Sequence, residues 1–151
     1  MVNRHCYLTR KAGQTRKLGI FFAKRILKTS LGKKALLLGL EGDLGGGKTC
    51  FLQGFAKGLG VKEKVLSPTF VLMKRFQIKD SRFKNFFHID CYRLKSSREI
   101  LALGFKKIIS EPENIVALEW ADKIKNILPK KTIWIKFIFA GKNTRRIEIT
   151  R

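Results

Sequence analysis

The segment Gly42-x-x-x-x-Gly47-Lys48-Thr49 concentrates more chemistry than any other part of this sequence. Its spacing is that of a phosphate-binding loop. Glycines let successive backbone N–H groups approach an anion, a lysine reaches the outer phosphates of a nucleotide, and the hydroxyl that follows is an oxygen ligand for Mg²⁺. Such a loop also needs a carboxylate near the metal, usually at the end of a neighbouring strand. Asp90 and Glu119 each follow a largely apolar run, Phe86 to Ile89 and Ile115 to Leu118, so both are expected at strand ends where open α/β sheets bind ligands. His88 shares a strand side with Asp90; it is an orienter of that carboxylate, a proton relay or a structural imidazole. Ser67-Pro68-Thr69-Phe70 either turns hydroxyls toward a phosphate or shapes a turn.

Positioning those groups requires a strand before the glycines and a helix after them, so that the helix N-terminus faces the anion. Ala35 to Leu40 is a short apolar stretch between Gly32 and Gly42, as a buried strand requires, and Thr49 to Leu59 reads as a helix stopped by Gly60. Before them, the three- and four-residue apolar spacings from Lys17 to Leu27 predict a helix. Phe70 to Ile78 and Phe86 to Cys91 predict a hairpin around the polar turn Lys79 to Asn85. Ser96, Ser97 and Glu99 can cap a short helix through Leu103, which Gly104 breaks, and Asn114 to Leu118 is a buried strand. Trp120 to Leu128 is expected to be helical, and Thr132 to Phe139 and Arg145 to Thr150 to be strands around Gly141-Lys142-Asn143.

The 151 residues fit a single domain over 1–151, with 44% hydrophobic and 29% charged residues placing it in the ordinary globular range. With 33 Lys and Arg against 11 Asp and Glu, the formal charge of +22 gives a positive potential over most of the surface. That charge suits an anionic partner; an A+T-rich coding sequence, which enriches Lys, Ile, Phe and Asn together, accounts for it equally well. Cys6, Cys50 and Cys91 are too few and wrongly spaced for a disulfide framework or a zinc site, which suits a reducing cytoplasm. Apolar runs such as Ala35 to Leu38 are far too short to span a bilayer, and neither a signal peptide nor a transmembrane helix is expected.

Taken in order, Gly42-Asp43-Leu44-Gly45-x-Gly47-Lys48-Thr49, Ser67-Pro68-Thr69-Phe70, His88-x-Asp90-x-Tyr92-Arg93-Leu94, Leu103-Gly104 and Glu119-Trp120 resemble the TsaE (YjeE) family. The resemblance runs from Thr15 to the terminal segment with Arg145 and Arg146. It implies an ATPase required for making threonylcarbamoyladenosine in tRNA, using ATP and Mg²⁺ and working with the TsaB and TsaD proteins. By motif, Gly45, Gly46, Gly47, Lys48, Thr49 and Cys50 hold the phosphates and Thr49 and Glu119 the magnesium. Asp90 assists hydrolysis, Trp120 sits beside the site, and Thr15 lies near the nucleotide. The implied fold is α/β, a P-loop NTPase-like three-layer sandwich whose mixed, mainly parallel central sheet carries added antiparallel strands. Gly46 stands where the family commonly has alanine, Cys50 where it has threonine, and residues 10–13 lack its acidic character.

The competing reading is a P-loop small-molecule kinase, which shares the loop but needs an Arg-rich lid that the sequence does not offer. A nucleic-acid-binding module with a vestigial loop is a third reading, opposed by the intact Lys48, Thr49, Asp90 and Glu119. Without a lid or a supplied arginine, the isolated chain is expected to hydrolyse ATP slowly. Arg93 is either a cis-acting arginine or a structural part of its motif. Direct contact with tRNA phosphates is the expectation that follows from charge.

Overall fold

A computed structural model describes residues 2–43, 45–66, 72–79 and 82–151. In chain order the elements are β1 (Arg4–Thr9), α1 (Ala12–Leu27), β2 (Leu36–Gly42), α2 (Lys48–Gly58), β3 (Met73–Gln77) and β4 (Asn85–Asp90). There follow α3 (Ser97–Leu101), α4 (Phe105–Ser110), β5 (Asn114–Glu119), a 3-10 segment (Ala121–Ile127), β6 (Ile133–Phe139) and β7 (Arg145–Thr150). The seven strands form one sheet in the order β1-β7-β6-β2-β5-β4-β3. Its centre, β6-β2-β5-β4, is parallel, and antiparallel pairings of β7 with β6, β1 with β7 and β3 with β4 extend it at both edges. The segment Ser67-Pro68-Thr69-Phe70 lies outside the described residues.

The period-two alternation of the central strands divides the apolar side chains between two layers. Leu38 and Leu40 of β2, Ile115 and Ala117 of β5, and Phe86 of β4 face a core completed by Phe51 and Phe55 of α2 and Ala23 and Ile26 of α1. Leu37, Val116, Leu118 and Ile89 face the other way, onto Ile100 of α3, Phe105 of α4 and Ile124 of the 3-10 segment. Aromatic rings weld the first layer, with Phe51 and Phe137 meeting edge-on and Phe55 tilted against Phe86 at 5.7 Å.

Helix α1 starts five residues before its apolar spacing begins. Ala12, Gly13 and Gln14 are exposed and carry no apolar signal, but the Gln14 side chain accepts a hydrogen bond from the Arg10 N–H at 2.6 Å and closes the first turn. Strand β1 escapes sequence reading for a related reason: Arg4 to Cys6 are all exposed on an edge, so no alternation marks them. Gly104 does break a helix, as expected, and then opens another: at φ 80° it caps α4, which the sequence reading missed. The helix expected from Trp120 is a 3-10 segment kinked at Ile124. Trp120 itself stands outside it at φ 56°, the left-handed region.

Glycines set the spacing between α1 and α2. A Cβ at Gly54 would fall 2.0 Å from the Arg16 carbonyl oxygen, one at Gly19 would fall 2.2 Å from that of Phe51, and one at Gly58 would meet Ala23 at 2.7 Å. The two backbones are in contact with no side chain between them. Gly54→Ala is therefore expected to lower stability by about 2 kcal/mol or more through overpacking, against the small helix-propensity gain the same change gives at an open site. A denaturant midpoint equal to or above the parent's would contradict this close approach. Among the described residues no helix is long and apolar enough to cross a membrane.

Candidate functional site

Strand β2 delivers the chain to the C-terminal edge of the parallel strands, and the glycine loop turns it back into α2. Three glycines make that turn, Gly42 at φ 142°, Gly45 at φ 77° and Gly47 at φ 100°, values that side chains resist. A Cβ at Gly46 would sit 2.9 Å from the Asp43 carbonyl oxygen, so the alanine common in the family would require the loop to shift here. Gly47 is the N-cap of α2, so the N-terminal amides of that helix open directly onto the loop.

Lys48 is buried, and its side chain folds back along the loop. Its Nζ donates to the carbonyls of Gly42 at 2.5 Å and Asp43 at 2.8 Å and lies 4.2 Å from the centre of the Trp120 ring. Burial pushes its pKa below the ordinary lysine value, although Glu119, Asp43, Asp122 and Asp90 pull it back up. The left-handed backbone at Trp120, which costs about 1–2 kcal/mol in a non-glycine residue, turns the indole toward that ammonium.

Asp90 and Glu119 are register partners at the ends of the parallel strands β4 and β5 and share the α2 side of the sheet with His88 and Ala117. Glu119 is buried and anchors the site. It accepts a hydrogen bond from Thr49 Oγ1 at 2.8 Å through one carboxylate oxygen, and the other lies 2.9 Å from His88 Nε2. His88 Nδ1 is buried with no hydrogen-bond partner among the described residues. His88, read from the sequence as an orienter of Asp90, a proton relay or a structural imidazole, lies against Glu119, across from the small Ala117 that is its register partner on β5. Asp90 instead accepts a hydrogen bond from the Tyr92 N–H at 2.9 Å.

These groups surround a cavity of about 380 Å³ whose walls include the glycines 45–47, Lys48, Thr49, Cys50, Asp90, Glu119 and Trp120. Arg93 and Tyr92 complete it, with the Tyr92 ring 5.0 Å from that of Trp120. Thr15 does not line this cavity. Its hydroxyl bonds that of Thr9 at 2.8 Å, and it lines an adjoining cleft of about 280 Å³ shared with Gly45, Gly47 and Cys50. Arg145 enters the same cleft, with its guanidinium 4.1 Å from the Phe139 ring and Nη2 reaching the Gly45 carbonyl at 3.4 Å. Nothing local in the sequence marks Arg145, which is a hundred residues from the loop it touches. The donors suit a hard cation: a hydroxyl and a carboxylate side by side, with no cluster of three or more His, Cys, Asp or Glu among the described residues to form a closed protein cage.

The family model described as Threonylcarbamoyl adenosine biosynthesis protein TsaE matches residues 9–147. The chain belongs to the TsaE family. Among its relatives is the tRNA threonylcarbamoyladenosine biosynthesis protein TsaE of Bacillus subtilis, 36% identical over 82% of this chain and 75% of that protein. The TsaE of Haemophilus influenzae is 32% identical over 88% of this chain and 80% of its own length. The crystal structure of YdiB from Bacillus subtilis superposes with a TM-score of 0.74 at 29% identity, covering 99% of this chain and 86% of that one. The mixed sheet, parallel in the middle, is thus a fold shared with a solved structure, while the strong positive charge in this TsaE-family member is written on its exposed faces.

The cysteines give the site a chemical readout. Cys91, adjoining Asp90, is fully buried, and its thiol is pushed up to about 12 from an ordinary 9.0, first by burial and then by Asp90 and Asp122. Cys6 is exposed and Cys50 partly so. At pH 8 the native protein is expected to take up iodoacetamide at Cys6 first and not at Cys91, since the thiolate is the nucleophile. The unfolded chain releases the Cys91 proton above about pH 9 while the folded chain keeps it, so this group's stabilising contribution is lost as pH rises from there toward 12. Rapid alkylation of Cys91, read by peptide mass spectrometry, would contradict its burial.

Proposed function

We propose that this chain is the ATP-binding and hydrolysing component of the bacterial machinery that makes threonylcarbamoyladenosine in tRNA, working in the cytoplasm with TsaB and TsaD. The observation that carries the reading is the alignment of Thr49 and Glu119, hydrogen-bonded at 2.8 Å beneath a glycine loop that ends at a helix N-terminus. Such an arrangement suits a magnesium–nucleotide site, with amides and a lysine for phosphate and a hydroxyl and a carboxylate for the metal. Thr49 and Glu119 would hold Mg²⁺ there, and the ion would supply positive charge against the charge that develops on the phosphate.

The protein's own groups divide the remaining work. Lys48 exchanges its bonds to the Gly42 and Asp43 carbonyls for phosphate oxygens, so the ammonium is stored next to where it acts. His88 fixes the rotamer of Glu119, leaving the oxygen beside Thr49 directed at the metal position. Asp90, oriented by the Tyr92 N–H, accepts a hydrogen bond from the attacking water. Trp120 and Tyr92 exclude bulk water from the same wall of the cavity. Thr15 and Cys50, on the shared side of the loop, line the approach of the nucleotide.

The test is ATP turnover by the purified protein, alone and with TsaB, TsaD and tRNA. Low turnover alone that rises with partners and requires Mg²⁺ supports the reading. Absence of ATP binding, or transfer of phosphate to a small molecule instead of water, overturns it.

A further inference from the structure

The positive charge is unevenly distributed. Residues 1–40 hold ten Lys and Arg and not one Asp or Glu, whereas the other 111 residues hold 23 against 11. An A+T-rich coding sequence favours glutamate codons as well as lysine codons, so base composition does not by itself empty forty residues of acid.

Much of this charge lies on one helix. The inner side of α1 buries Thr15, Gly19, Ala23 and Ile26 against α2, which leaves Lys17, Phe21, Lys24 and Lys28 on the opposite, solvent side at spacings of four, three and four. Lys17, Phe21 and Lys24, continued by Lys28 at the C-cap, make one straight stripe along a 16-residue helix about 24 Å long. Phe21, in the middle of the stripe, is 50% exposed, and the Arg25 guanidinium lies 5.7 Å from its ring centre. Burial does not explain an exposed aromatic flanked by cations, and no acidic side chain on α1 neutralises them.

We propose that the outer face of α1 docks single-stranded RNA, with Lys17, Lys24 and Lys28 on backbone phosphates and Phe21, backed by Arg25, as a stacking platform for a base. Cations in line with an exposed aromatic are the elements by which proteins hold unpaired nucleic acid with little sequence preference. The tRNA-modification reading bears on this only in favouring RNA over DNA; the surface itself needs neither ATP nor a partner protein.

The experiment uses the full chain without nucleotide and a fluorescein-labelled oligouridine of about 12 nucleotides, a length within the span of a single binding face. Anisotropy is read at about 50 and 200 mM salt, where phosphate contacts separate from other forces. The triple variant Lys17→Gln/Lys24→Gln/Lys28→Gln is expected to bind at least tenfold more weakly and to lower the log K against log salt slope by about 2, the value for three single-strand phosphate contacts. Phe21→Ala is expected to lose about tenfold with the slope unchanged, as removal of one stacked base does. A control triple away from α1, Lys106→Gln/Lys107→Gln/Lys130→Gln, removes the same charge from exposed positions. Equal weakening by the control would assign binding to diffuse charge and overturn the proposal. So would unchanged affinity in the stripe variants, or binding confined to anionic phosphatidylserine vesicles. Failure of RNA binding with ATP turnover intact sinks the surface alone, and the reverse sinks the ATPase reading alone.

Discussion

Replacing Lys48 with alanine is expected to reduce ATP turnover by about two to three powers of ten, the loss typical when one preorganised donor to a developing anion is removed. The protein should remain folded, because the lysine spans only its own loop and the face of Trp120. Lys48→Arg is expected to restore little: the guanidinium is too large for a position whose ammonium fits between two carbonyls and an indole. The lowered pKa adds a pH signature. The charged form exists below the pKa, so binding strength that depends on the ammonium disappears as pH rises through a value below the ordinary 10.5. Isothermal titration with ATP and Mg²⁺ at several pH values checks both points; an alanine variant that binds and hydrolyses like the parent would remove Lys48 from the mechanism.

Glu119→Gln is expected to raise the Mg²⁺ concentration needed for turnover by about a hundredfold or more, while His88→Ala raises it by about ten- to a hundredfold. The order follows from the geometry. Glu119 offers charge and an oxygen beside Thr49, whereas His88 acts by holding the other carboxylate oxygen in place. Saturating Mg²⁺ should therefore recover much of the His88→Ala activity and little of the Glu119→Gln activity. Circular dichroism and the thermal midpoint of both variants without the ion, read beside the Mg²⁺ titration of turnover, separate lost metal binding from lost folding.

The site could be read from sequence where chemistry and local structure coincide. Lys48 and Thr49 are fixed by the glycine spacing, and Asp90 and Glu119 by their place after apolar strands; all four line one cavity. What the sequence hid depends on distance through space. His88 shares a strand side with Asp90 in the sequence, but its contact with Glu119 depends on the register of β4 against β5. Thr15 reaches the loop only because two helix backbones touch, and Arg145 only because β7 turns back beside β6. The strand order was equally hidden, since edge pairings such as β1 with β7 join residues from the two ends of the chain. Elements whose residues face solvent, β1 and the first turn of α1, left no periodicity to read.

The glycine contact between α1 and α2 also limits how this sequence can drift. Exposed positions on α1 have room for a long side chain. At Gly19, Gly54 and Gly58 the nearest atoms leave no room even for a methyl group. The outer face of α1 can thus change its charge without disturbing the helix that presents Lys48 and Thr49, whereas its inner side stays locked.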